Sequence, residues 1–211
     1  MLLGSWSDPY SARSYNRREV SDIASVLYTE EEIQRRVREL GADITREYAG
    51  RSPVLISVLK GAAMFLADLI RWTDLPLRVD FMSISRYGES SSGVVRVLKD
   101  LEQDIGGADV LVVEDIIDTG LTLSYLLSTL AAREPASIQV CTLLDKKVRR
   151  IAPLHIPFVG FDCPDKFVVG YGLDQDERYR NLPFILAVEN QAALAADPDA
   201  LSHYLVEEPA R

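Results

Sequence analysis

The stretch that most constrains this chain is Val110-Leu111-Val112-Val113-Glu114-Asp115-Ile116-Ile117-Asp118-Thr119-Gly120-Leu121-Thr122. An unbroken aliphatic run from Val110 to Val113 reads as a strand buried on both faces, which favours a parallel sheet over a half-solvated one. The strand ends in carboxylates, and a Thr-Gly turn leads into an apolar helix predicted over Leu121 to Ala132. Open parallel sheets bind ligands beyond the carboxyl ends of their strands, so Glu114 and Asp115 stand where a ligand is expected. Thr119, Gly120 and Thr122 open the helix. Backbone N–H groups, hydroxyls and the positive end of the helix dipole converge there on a point suited to a phosphate. Gly120 permits the close backbone approach. Carboxylates beside a phosphate cradle suit a ligand that also carries ribose hydroxyls, with magnesium offsetting the like charges. Taken alone, Asp115 and Asp118 also have the chemistry of ordinary turn and cap residues.

The rest of the chain repeats the strand-helix alternation. Thr29-Glu30-Glu31-Glu32 has the form of a capping box, with Tyr28 and Ile33 placed as a hydrophobic staple. Ile33, Val37, Leu40, Ile44 and Tyr48 follow at helical spacing. Val54 to Val58 reads as a strand, then come Lys60-Gly61, a helix over Ala62 to Trp72 and an extended segment near Leu77 to Ile84. Ile138 to Leu144 supplies a further strand. This order predicts an α/β fold with a mostly parallel central sheet flanked by helices. Tyr87-Gly88-Glu89-Ser90-Ser91-Ser92-Gly93 has the small polar composition of a mobile loop between hairpin strands, one of them Val94 to Lys99, and reads as a lid. Short strands at Phe158 to Phe161, Phe167 to Tyr171 and Phe184 to Val188 are separated by Pro and Gly, which predicts a small hood subdomain. The expected division is a flexible arm over 1–20, one domain with its hood over 21–190, and a C-terminal helix or tail over 191–211.

Composition excludes several classes. The 211 residues suit one large α/β unit. A formal net charge of -9 argues against nucleic-acid or anionic-membrane partners, so an anionic substrate must meet locally concentrated cations. No apolar run approaches the roughly 20 residues of a membrane span. Met1 to Ser5 lacks a basic n-region, which makes the cytoplasm the expected location. Cys141 and Cys163 are isolated and only His155 and His203 offer imidazoles, which does not suit a zinc site or a disulfide framework. Neither G-x-x-x-x-G-K-[ST] nor G-x-G-x-x-G occurs, so ATPase and dinucleotide-binding readings lose their main support.

Glu114 to Thr122 with its preceding strand resembles the phosphoribosyl-pyrophosphate loop of the type I phosphoribosyltransferases, and Glu-Asp-Ile-Ile-Asp-Thr-Gly is similar to the hypoxanthine-guanine branch. Matching features run over roughly residues 25 to 190. The resemblance implies purine salvage: transfer of a phosphoribosyl group from 5-phosphoribosyl-1-pyrophosphate to N9 of hypoxanthine or guanine, with magnesium, by a homodimer or homotetramer. It implies that Glu114 and Asp115 bind the ribose hydroxyls and lie near the metal, while Asp118, Thr119, Gly120, Leu121 and Thr122 complete the phosphoribosyl site. Asp118 is then the general base at N7 of the purine. Lys146 points at the exocyclic O6, where a donor-only ammonium prefers oxo to amino.

Asp165-Lys166-Phe167-Val168-Val169-Gly170-Tyr171-Gly172-Leu173-Asp174 resembles the family's hood motif, in which Phe167 stacks on the purine and the backbone at Val168 reads the ring edge. Asp174 inherits a magnesium-holding role within the purine-binding set. Arg150 and Arg180 match pyrophosphate contacts, and Lys60-Gly61 matches a pair at a non-proline cis peptide whose N–H groups contact pyrophosphate. Without the resemblance, Phe167 and Val168 are ordinary strand residues and the basic cluster Lys146, Lys147, Arg149 and Arg150 is a solvated face. Two departures stand out: the lid begins Arg86-Tyr87 where the family commonly has Ser-Tyr, and Leu121 is basic in some relatives. Rival readings are a phosphoribosyl-pyrophosphate-sensing regulatory protein, which calls for a basic nucleic-acid face, and a xanthine-preferring transferase.

Overall fold

The computed structural model describes residues 22–87 and 94–205. The expected arm over 1–20, the loop segment 88–93 and the side chains of Arg86 and Tyr87 lie outside the described residues.

Helix α1 (Glu30–Glu47) starts at its predicted cap. Thr29 Oγ1 accepts from the Glu32 N–H at 3.2 Å, and Glu32 Oε2 accepts from the Thr29 N–H at 2.9 Å. The reciprocal pair satisfies donors that a helix end otherwise leaves orphaned. Ile33, Val37, Leu40 and Ile44 form its buried stripe and, with α2 (Ala63–Arg71), cover one face of the main sheet. Helix α3 (Leu121–Ala131) covers the other face through Leu123, Leu126 and Leu130.

That sheet has the strand order β4 (Val94–Lys99), β3 (Arg78–Tyr87), β2 (Val54–Leu59), β5 (Asp109–Ile117), β6 (Ser137–Asp145) and β7 (Phe158–Asp162). Every neighbouring pair is parallel except β3 with β4. The two central strands carry the core: Val54 to Ile56 and Val110 to Val113 have no exposed surface. Burying each such aliphatic side chain contributes about 1.5–3 kcal/mol. From β2 the chain moves outward through α2 to β3, and from β5 it moves the opposite way through α3 to β6. The order therefore reverses between β2 and β5, and a crevice opens at their carboxyl ends.

The hood is a separate antiparallel sheet in the order β1 (Ala24–Tyr28), β9 (Ile185–Val188), β8 (Phe167–Val169). It has its own core, which includes Val169, Leu182, Phe184 and Leu186. Helix α4 (Gln191–Ala196) and a 3-10 turn at Ser202–Leu205 complete it with Leu194, Leu201 and Tyr204.

The structure departs from the sequence expectation at several places. Phe158 to Phe161, expected in the hood, belongs to β7 at the edge of the main sheet, where Cys141 pairs with Phe158. The crossover from β6 contains a single 3-10 turn (Lys147–Arg149) and no α-helix, so the usual signal of a parallel crossover is missing. Arg36 on α1 pins this edge, donating from Nε to the Gly160 carbonyl at 3.0 Å and from Nη2 to the Val159 carbonyl at 2.8 Å. Strand β1 was not expected, because its partner β9 lies at the far end of the chain. The segment expected as a surface helix or tail is anchored by the buried Leu194, Leu201 and Tyr204. Strand β5 runs to Ile117, so Glu114 and Asp115 lie inside it. Among the described residues, no helix is long and apolar enough to cross a membrane.

Candidate active site

The loop after β5 is shaped by its neighbours. Gly120 sits at φ 80° as the N-cap of α3, a conformation that costs a side-chain-bearing residue but not glycine. A Cβ there would also lie 2.7 Å from Leu154 Cδ1. Having no side chain, Gly120 caps α3 with no acceptor, and the helix opens with its positive end toward the loop. The Thr119 carbonyl is held from behind by the N–H groups of Ile151 (2.9 Å) and Ala152 (3.2 Å), and Thr119 Oγ1 lies 3.4 Å from the Leu121 nitrogen. Glu114, Asp118, Thr119, Gly120 and Thr122 line a cavity of about 320 Å³, walled by Val58 and Ile84 from β2 and β3. A cavity of this size suits a small ligand.

The acids of β5 are unusual for their burial. Glu114 is 9% exposed and makes no hydrogen bond or ion pair with the described residues; burial, then the neighbouring Asp115, raises its carboxyl well above the ordinary range. Asp115 is pushed up to about 6, first by burial; its own and the Ile116 backbone N–H groups and Arg180 pull it down, and Asp174 pushes it up. A cation placed between such groups would relieve both.

Gly61 explains how Asp115 fits. The Leu59–Lys60 peptide is cis, and a Cβ on Gly61 would fall 1.6 Å from Asp115 Oδ2, so only glycine leaves room for that carboxylate. Opposite them, the hood loop is pinned by the Tyr171 hydroxyl, which donates to Asp68 Oδ2 at 2.6 Å, an oxygen that also accepts from Gln34 Nε2 at 2.8 Å. Arg180 Nη1 donates to the Gly172 carbonyl at 2.7 Å, and its Nη2 lies 2.9 Å from Asp174 Oδ1.

The other wall comes from β6. Ile117 pairs with Asp145, and the Lys146 N–H donates to the Ile117 carbonyl at 2.9 Å, which sets Lys146 beside the acidic loop. The residue is 7% exposed, and its ammonium makes no hydrogen bond or ion pair with the described residues. A donor-only ammonium without an acceptor among the described residues is open to an acceptor on a ligand. Asp118 faces Arg149, with Nε to Oδ1 at 3.2 Å.

The sequence-predicted residues thus fall into groups. Glu114, Asp118, Thr119, Gly120 and Thr122 share one cavity, with Asp115 wedged against Gly61; Leu121 is 45% exposed on the outer face of α3. Asp174 and Arg180 are paired and act on Asp115 from the hood. Phe167 and Val168 lie on β8, opposite Val188 and Ala187. Arg150 is turned inward: its guanidinium pairs with Asp145 and its Nε donates to the Asp118 carbonyl at 3.3 Å, so it braces the loop from beneath. Sequence reasoning missed the Arg149–Asp118 pair, the Tyr171–Asp68 pin, and Glu177, whose Oε2 lies 3.0 Å from Lys60 Nζ. None of these carries a spacing signal, because each joins segments far apart in the chain.

Comparison with known proteins agrees with this geometry. A family model described as the phosphoribosyl transferase domain matches residues 24–176. The chain is similar to the hypoxanthine-guanine phosphoribosyltransferase of Bacillus subtilis, 55% identical over 166 residues that cover 78% of this chain and 92% of the relative. It is also 55% identical over 172 residues to the enzyme of that name from Mycobacterium avium, covering 78% and 85% of the two chains. A crystal structure of a hypoxanthine-guanine phosphoribosyltransferase from Bacillus anthracis superposes with a TM-score of 0.76 at 47% identity, covering 79% of this chain and 99% of the other. The acids at the end of β5, the glycine-capped helix after them and these likenesses together place the chain in the phosphoribosyl transferase family, among the hypoxanthine-guanine phosphoribosyltransferases.

Proposed function

We propose that the protein transfers the phosphoribosyl group of 5-phosphoribosyl-1-pyrophosphate to N9 of hypoxanthine or guanine, forming IMP or GMP and releasing pyrophosphate. The observation that carries this reading is the cavity in which Glu114, Asp118 and the N-terminus of α3 meet, with Lys146 held next to it by its backbone hydrogen bond to the Ile117 carbonyl.

Each group has a task in this reading. The 5-phosphate sits against Thr119 to Thr122, where the helix N-terminus favours an anion. Glu114 and Asp115 accept the ribose hydroxyls. Lys146 donates to O6 of the base and disfavours adenine, whose amino group would leave the ammonium without an acceptor. Phe167 stacks on the ring, and the backbone at Val168 reads its edge. Asp118 takes the N7 proton as N9 bonds to the anomeric carbon, while the bond to pyrophosphate breaks through an oxocarbenium-like state. Lys60, Gly61 and Arg180 face the leaving group, and Arg150 supports the loop from below.

The donor set fits magnesium. No three acidic, His or Cys side chains converge into a metal cage among the described residues, and magnesium does not need one, since it typically takes one or two carboxylates plus water and substrate oxygens. Asp115 and Asp174 are the carboxylates that would hold it, with Glu114 nearby. When bound, it would neutralise charge developing on the pyrophosphate.

Turnover with each purine base, phosphoribosyl-pyrophosphate and magnesium, followed by nucleotide formation, tests this function. Products from 6-oxopurines and none from adenine are expected. Adenine use equal to that of hypoxanthine would overturn the role of Lys146, and no turnover with any base would overturn the whole reading.

A further inference from the structure

We infer that Glu177 is a built-in stand-in for the leaving-group anion: its carboxylate bridges Lys60 and Arg180, and a pyrophosphate group that uses both cations must displace it. The inference rests on the reading above, in which Lys60 and Arg180 face pyrophosphate.

A single oxygen, Glu177 Oε2, lies 3.0 Å from Lys60 Nζ and 3.2 Å from Arg180 Nη2. The arrangement is held by the backbone as well as by charge. Asp176, Glu177 and Tyr179 have φ of 49°, 65° and 71°. Three side-chain-bearing residues in the left-handed region within four positions are uncommon, and such conformations cluster at functional sites. The Glu177 N–H donates to Asp174 Oδ2 at 2.9 Å, and the same Asp174 pairs with Arg180 through its other oxygen. The loop thus presents two carboxylates to one guanidinium and reaches across the crevice with one of them to Lys60.

The bridge is made to be broken. Side chains of Lys60 and Glu177 are 65% and 62% exposed, and exposed ion pairs are individually weak. A pyrophosphate group carries more charge and more acceptor oxygens than one carboxylate, so it wins the exchange. The cost of displacing Glu177 is subtracted from the affinity for both phosphoribosyl-pyrophosphate and released pyrophosphate. Product release limits many enzymes, so a carboxylate that refills the subsite speeds turnover by helping the product leave.

Glu177→Gln and Glu177→Gly test this, the second because it removes the carboxylate and also relaxes the left-handed backbone. Calorimetric titration of the intact protein with magnesium and inorganic pyrophosphate should show about three- to tenfold tighter binding in both variants. The KM for phosphoribosyl-pyrophosphate should fall by a similar factor, with the purine KM unchanged. The gap between variant and wild type should shrink as salt rises to about 0.5 M, because screening weakens the exposed bridge. If the wild-type protein makes nucleotide while both variants bind pyrophosphate as weakly as it does or more weakly, the inference falls and the proposed function stands. If the wild-type protein neither binds magnesium pyrophosphate nor makes nucleotide, both fall.

Discussion

The crevice has two walls of different construction. The sheet wall, from Glu114 to Thr122, rises from strands whose central residues have no exposed surface and is braced by the segment that follows β6: Arg150, itself paired with Asp145, donates to the Asp118 carbonyl, and Ile151 and Ala152 hold the Thr119 carbonyl. The hood wall is stitched from distant segments, since Ala24 pairs with Val188 and Phe167 pairs with that same residue. Its inner face packs into the main core through Val168, Tyr171, Leu173 and Ile185, while its loops reach the other domain elements through single polar contacts, the Tyr171–Asp68 hydrogen bond and the Glu177–Lys60 pair. In the proposed function, the rigid wall grips the sugar phosphate common to every cycle. The hood wall stacks on the base and faces the leaving group through Arg180 and Glu177, while Lys146 selects the base from the end of β6. Positioning is best done by buried strands, and exchange by loops whose contacts are weak enough to open.

The largest expected effect falls on the sheet wall. Asp118→Asn should lower kcat by about 100-fold or more, within the range of general acid-base catalysis, with thermal stability little changed because the side chain is 43% exposed. Steady-state kinetics beside a melting curve checks this. An unchanged kcat would remove Asp118 from the chemistry.

Leu201→Ala breaks the comparison from the other side. Leu201 has no exposed surface in the hood core, so its truncation should cost about 2–4 kcal/mol, read by denaturant unfolding. Purine affinity of the folded fraction should fall more than affinity for ribose 5-phosphate, which the sheet wall holds. Equal losses would mean that the walls are not energetically separate.

Lys146→Ala should weaken 6-oxopurine use by roughly 10- to 100-fold, the worth of a hydrogen bond to a charged group. Its KM for phosphoribosyl-pyrophosphate should stay close to wild type. A matching loss for both substrates would take Lys146 out of base selection.

The smallest effect concerns stability and pH. Asp115 has a folded-state pKa raised from 3.8 to about 6, so the stabilisation tied to its protonated form is full below about pH 4 and lost as pH rises through about 6. The shift corresponds to about 3 kcal/mol at most. Asp115→Asn should therefore be more stable than wild type at pH 7–8, equal to it below about pH 4, and impaired in catalysis. Thermal melts across that range decide it; a variant less stable than wild type at pH 8 would show that Asp115 is not held at a cost.

The two walls also differ in how far the sequence reveals them. The Val110 to Thr122 segment is legible because its strand, acids and turn are contiguous, and each step follows from local burial and helix-end chemistry. The Thr29 capping box is legible for the same reason. Strand β1 and the C-terminal anchor were not, because Ala24, Leu194 and Leu201 gain meaning only once both ends of the chain meet in the hood. β7 was misassigned because a crossover without a helix hides its parallel pairing. For the site, Lys146 and Arg180 are proposed only through the resemblance, while Glu177 and Arg149 declare themselves only through partners on other segments.

A crystal structure of the protein with IMP and magnesium bears most directly on the central claim. The account predicts the 5-phosphate against the backbone of Thr119 to Thr122, the ribose hydroxyls on Glu114 and Asp115, and O6 on Lys146. A nucleotide bound elsewhere, or bound in the crevice with its phosphate away from the N-terminus of α3, would contradict it.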